Sequence, residues 1–234
     1  MQLLRFRALA ACALLAFPTF ALVAPTTPQV LPPTSHPLGL SYSEWSSGWW
    51  QWFMQHPIEG HPAIDDPSFD VSSGQSGKVW YLATPLDFGP WIARTRTVDV
   101  PAGKSLFAGL LNTEMSSLEG VASEEEQGAI AGWLADHIVD LNVTIDGVHV
   151  ADIDDYRVQS KQFTFTAPDP WIFGPIGAGE FGTSVADGYF LFLAPMSVGQ
   201  HVLHVTGGFY FEAGELGPDP LELNADMTYV VNVY

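Results

Sequence analysis

Along residues 42–53 the chain places Tyr42, Trp45, Trp49, Trp52 and Phe53 at the spacing of one helix face. Ser41 or Ser43 offers an N-cap oxygen, Glu44 suits the positive end of the helix dipole, and Pro57 pushes His56 out of the α region. The stripe predicts a helix that buries its aromatic face and seals one end of a larger body, with Trp50 pointing away. A second helix is expected from Ser123, where Glu126 completes a capping box and Ile130, Trp133, Leu134, Ile138 and Leu141 repeat at helical intervals. The other apolar runs are short and read as strands: 78–84, 92–99, 105–111, 142–150, 157–166, 189–194, 201–206 and 227–233. Pro101-Ala-Gly103 and Asp146-Gly147 are turn signals between such runs. Frequent turns between short strands predict a mainly β chain, an antiparallel, jelly-roll-like β-sandwich with two ancillary α-helices.

One stretch has no period at all. Residues 167–188 hold Trp171, Phe173 and Phe181 among prolines and glycines, where no strand or helix face demands an aromatic ring. Long irregular connections in compact domains tend to carry function.

The N-terminus sets the compartment. Arg5 and Arg7 precede the apolar run Ala8–Phe17, and small residues follow, the layout of a secretory signal over residues 1–21. The run is too short to span a bilayer, which takes about 20 residues. Leu9-Ala-Ala-Cys12 resembles a lipoprotein cleavage site, but it leaves little apolar sequence ahead of Cys12. Five prolines in residues 22–38 predict an extended tether, leaving residues 39–234 as one folded domain in a secreted or periplasmic protein.

Cys12 is the single cysteine and leaves with the signal, so no disulfide framework is expected. Without Arg5 and Arg7, six basic residues face 26 acidic ones, a net charge of −20. Such a surface repels phosphate backbones and anionic lipids, which excludes nucleic acid as a partner. Neutral sugars, cations and basic proteins remain, so the expected partner is a neutral glycan or another extracellular protein.

Known catalytic patterns are missing or misplaced. Gly177-Ala-Gly179-Glu-Phe-Gly182 matches a dinucleotide fingerprint in letters, yet no helix follows it. Gly74-Gln-Ser-Gly-Lys78 lacks the spacing and the Ser/Thr of a phosphate-binding loop. There is no G-x-S-x-G elbow and no H-E-x-x-H, and His201 and His204 fall on opposite faces of one strand. No cofactor and no metal site is expected. Asp152, Asp154 and Asp155 could offer oxygens to calcium, but without the glycine and distal glutamate of an EF-hand loop.

The expected activity is therefore that of a non-catalytic binding module for neutral glycans. Trp171, Trp91 and Phe181 would stack on sugar faces while Glu180 accepts hydroxyl hydrogen bonds. The alternatives are a hydrolase using Glu114 and Glu180 as acid and base, and a structural, envelope-associated protein.

The runs S-Y-S-E-W-S-S-G-W-W-Q-W, S-G-Q-S-G-K-V-W-Y-L-A, T-V-D-V-P-A-G-K-S-L-F and Y-R-V-Q-S-K-Q-F-T-F-T resemble a group of secreted bacterial proteins without an assigned activity. The segment 186–207 does so too, and the likeness covers about residues 39–208. It implies secretion and a β-rich fold, and no substrate, cofactor or catalytic residue. Relatives carry cysteines near the positions of Ser73 and Arg96, so any cross-link there is absent from this chain.

Overall fold

The computed structural model describes residues 28–64, 72–83 and 93–234. The signal, the first part of the tether and Trp91 lie outside these residues. In chain order the elements are β1 (Val30–Leu31), α1 (Tyr42–Met54), β2 (Val79–Ala83), β3 (Arg94–Val100), β4 (Ser105–Ser116) and α2 (Glu124–Ala135). Then come β5 (Ile138–Ile145), β6 (Val148–His149), β7 (Arg157–Gln159), β8 (Phe163–Thr166), β9 (Phe181–Leu193), β10 (Gly199–Phe211) and β11 (Leu221–Val233).

The strands form two sheets. The first runs β1-β9-β4-β2, with β7 and β8 also paired to β9, and the second runs β3-β11-β10-β5-β6. The described residues are mainly β with two α-helices, a sandwich that does not close into a barrel. Strand directions are mixed: β2 runs parallel to β4 and β3 parallel to β11. The reason is the crossing of β3 into the second sheet, after which the turn at 101–104 returns the chain to the first. Two strands joined by such an excursion enter their sheet in the same direction. The Asp146-Gly147 hairpin forms as expected, both residues with positive φ.

Alternation on β4 and β9 divides the interior in two. Leu106, Ala108, Leu110, Leu191 and Leu193 face the second sheet, while Phe107, Phe190 and Phe192 face α1. Helix α1 thus covers the outer face of the first sheet instead of sealing an end of the sandwich. Its N-terminus is a capping box: Ser41 Oγ accepts the Glu44 N–H at 3.3 Å, and the Glu44 carboxylate accepts the Ser41 N–H at 2.9 Å. Trp49 stacks on Phe53, meets Phe190 edge-on and donates its indole N–H to the Leu82 carbonyl at 2.9 Å. Trp50 is buried as well, against the expectation that it points outward, because its ring packs edge-on against Trp49 and Phe53. Gly109 lies where a Cβ would come within 2.6 Å of the Trp49 ring, so α1 can settle this low only over glycine.

Two segments differ from their sequence reading. Residues 28–38 are not a free tether: Val30 and Leu31 pair with Leu193 and Phe192, and Tyr42 Oη donates to the Leu31 carbonyl. Helix α2 stops at Ala135, and Ile138 and Leu141 belong to a strand. It buries Gln127, Gly128, Ala131 and Ala135, so its small face, not its large apolar residues, lies inward. That small face lets the helix sit close over Gln159 and Asp187, 3.2 and 3.5 Å from where Cβ atoms at Gly128 and Gly132 would stand.

The edge strand β2 is capped by one side chain. The Gln75 carboxamide donates to the Tyr81 carbonyl and accepts the Tyr81 N–H, both at 2.8 Å, the pair of bonds a neighbouring strand would make.

Candidate functional site

The expected recognition segment is a hairpin connection, residues 167–180, between β8 and β9. Its base is closed by backbone bonds from the Ala167 N–H to Glu180 and from the Gly179 N–H to Ala167, at 2.9 and 3.0 Å. Beyond that base the side chains divide. Trp171 is 3% exposed, donates its indole N–H to the Met54 carbonyl at 2.9 Å and stacks on Phe165. It is therefore core and not a platform, since the end of α1 supplies both a partner for its N–H and an apolar bed for its ring. Phe181 is 67% exposed and Ile176 is 78% exposed, with Glu180 also in solvent and Phe173 partly so. Of the four expected ligand contacts, Phe181 and Glu180 stand at the surface, Trp171 does not, and Trp91 lies outside the described residues.

The two acids of the hydrolase reading are far apart. Glu114 pairs across the sheet with Ala186, six residues of extended strand from Glu180, which is about 20 Å. Glycosidase acids sit about 5–10 Å apart. Glu114 has other company. It is half-buried on the α1 side of the first sheet, accepts a hydrogen bond from Ser184 Oγ at 2.6 Å and meets Glu119. Glu119 in turn accepts the Ser116 N–H and Oγ–H at 2.9 and 2.8 Å. Burial above all, then the Glu119 charge, pushes the Glu114 carboxyl well above the usual carboxylate range. Ser116 and Ser184 pair across β4 and β9, so the bonds they make set the Glu119 and Glu114 carboxyls side by side.

A Ser-His-Asp constellation that the sequence did not suggest joins the start of β10 to the β5–β6 turn. His201 Nδ1 lies 2.7 Å from Asp146, and Nε2 lies 3.3 Å from Ser197 Oγ. The Ser197 carbonyl is closer, at 2.9 Å from the same Nε2. The carbonyl is thus the nearer partner of Nε2, and Asp146 also accepts the Val202 N–H at 2.8 Å, so this group fastens a turn. His204 lies on the opposite face, paired with Asp226 at 2.8 Å.

His56 and His61 lie under the end of α1. Ser73 Oγ meets His56 Nε2 at 3.0 Å, and Arg96 donates to the carbonyls of Pro62 and Ile64. Ser73 and Arg96 thus both tie down the segment after α1. His61 is a neutral imidazole: Nε2 donates to the Phe53 carbonyl at 2.9 Å and Nδ1 accepts the Ala63 N–H at 3.1 Å. Burial, chiefly, holds its pKa down at about 4, while the free group titrates at 6.5. Above pH 6.5 both states are neutral and this position carries no penalty. As pH falls toward 4 only the unfolded chain takes the proton, and about 3 kcal/mol of stability is lost. The urea midpoint should fall over that interval, and His61→Gln should flatten the slope; an equal slope in the variant removes His61 as the cause.

Among the described residues no three or more His, Cys, Asp or Glu side chains gather as a metal site. Asp152, Asp154 and Asp155 lie on or beside a 3-10 turn, Ile153–Tyr156. Among the described residues no helix is long and apolar enough to cross a membrane.

No protein-family model matches this chain, and no curated protein does. Among solved structures, one titled "Solution Structure of Amebosin" aligns with 62% of this chain and all of its own, at 11% identity and a TM-score of 0.18. A likeness that loose carries no argument.

Proposed function

We propose that the protein is a secreted or periplasmic binding module, non-catalytic, that takes neutral glycans on the β8–β9 connection. The observation that supports this is the exposure of Ile176 on the connection and of Phe181 where it enters β9, above a base pinned by Trp171 and backbone bonds. A phenyl ring in that position can lie against the C–H face of a sugar, and Glu180 beside it can accept hydroxyl hydrogen bonds. The charge of −18 over the whole chain favours a neutral ligand over an anionic one. Membership in the secreted bacterial group that the motifs resemble is part of the same proposal.

The test is a glycan array followed by calorimetric titration of the best ligand. Phe181→Ala should weaken binding about tenfold, or 1.4 kcal/mol, with the fold unchanged by circular dichroism. A silent array, or full binding by the variant, overturns the reading.

A further inference from the structure

The connection is not only pinned from below by Trp171. It also leans on the 3-10 turn Ser117–Glu119 that follows β4. Ser117 Oγ accepts the Thr183 N–H at 2.9 Å, at the start of β9. Leu118 fills the space beside one glycine of the connection and one at the start of β9: a Cβ on Gly177 or Gly182 would come within 3.0 or 2.9 Å of its side chain. Glu119 closes the turn by capping Ser116, which sets its carboxylate beside that of Glu114. One short turn therefore touches the start of β9 with Ser117, the connection with Leu118 and the half-buried acid with Glu119.

We infer that the Glu114–Glu119 pair is a proton-operated latch: while the two carboxyls share a proton, the Ser117–Glu119 turn is held down and the β8–β9 connection closes on Leu118, and loss of the proton releases both. Two carboxyls set side by side cannot both ionise without repulsion. Glu114 is fixed by the sheet and by Ser184, so the mobile partner is Glu119 with its turn. The groups that face Glu114 are Glu119 from the turn and the uncharged Ser184 and Ser116 from β9 and β4. Arg157, Asp187 and Asp136 lie on the other side of the sheet, since Asp187 pairs with Thr113 and strand neighbours alternate faces. The acids of the connection itself are Asp169 and Glu180.

The sign follows from Glu114. An acid held protonated by the fold stabilises it at low pH, and that stabilisation is lost as pH rises from the free value of 4.5 through the raised one. The connection should be closed in mildly acid solution and loosen as pH rises. As a control on ligand binding the latch rests on the proposed function; as a motion it does not.

The experiment is hydrogen exchange of the full chain without ligand from about pH 5 to about pH 8, corrected for intrinsic rates. Amides of Gly179, Glu180 and Thr183 should lose about tenfold protection with rising pH in the native protein. Glu114→Gln should keep them protected throughout, because an amide still accepts from Ser184 and donates to Glu119. Glu119→Gln removes the same repulsion from the exposed side, and serves if the first variant does not fold. Protection independent of pH in the native protein, or a response unchanged in the foldable variants, overturns the latch. A glycan array that stays silent bears on the binding proposal alone.

Discussion

Trp49→Ala is expected to lower the unfolding free energy by about 4 kcal/mol, the largest single loss in the molecule. Trp49 is 2% exposed, and its ring touches Trp50, Trp52, Phe53 and Phe190. Its N–H satisfies the Leu82 carbonyl of β2, so alanine leaves a cavity and an unpaired carbonyl together. The neighbourhood cannot collapse to fill it, because Gly109 below has no side chain to contribute. Urea or thermal melts measure the loss. A cost below about 1 kcal/mol would mean that α1 does not lie on this sheet as described.

Arg157→Ala should cost about 3 kcal/mol, for a different reason. Arg157 donates to Asp187 at 2.8 Å, to Asp136 at 2.7 Å and to the Gly132 carbonyl at 3.0 Å, joining β7, β9 and α2. Asp136 is mostly in solvent, and its bond is worth little. Asp187 is 6% exposed, and without the guanidinium its charge keeps only a 3.2 Å bond from Gln159. The loss is thus the cost of a buried unpaired charge, which a second change can relieve. Arg157→Met with Asp187→Leu should recover most of the stability. If the double variant is as unstable as the single one, the ion pair itself holds α2 in place.

Much of the architecture is legible in the residues. The aromatic stripe and capping box of α1, the Asp146-Gly147 hairpin and the short apolar runs of both sheets follow from local rules. The long strand β9 was hidden because Gly182 and Gly188 interrupt its apolar run. Gly188 is required there: a Cβ would come within 2.4 Å of the Asn112 Cα across an irregularity in the β4–β9 register between Gly109 and Asn112. That irregularity also decides the site. Before it, odd-numbered residues of β4 face α1; after it, even-numbered ones do, which carries Glu114 to the same side as Ser184. Simple alternation from Phe107 puts Glu114 on the other face, so its partnership with Glu119 could not be read from spacing. Trp171 was misplaced because a tryptophan among prolines and glycines looks exposed unless its N–H acceptor, here the end of α1, is known. Residues 28–38 read as tether because the two-residue strand Val30–Leu31 leaves no periodic trace.

The carboxamide that covers Tyr81 has a wider consequence. Any chain that tried to extend the first sheet beyond β2 would have to evict Gln75 and break two bonds before making its own. The protein therefore carries its own stopper against runaway sheet growth, and it does so without spending a charge on that border.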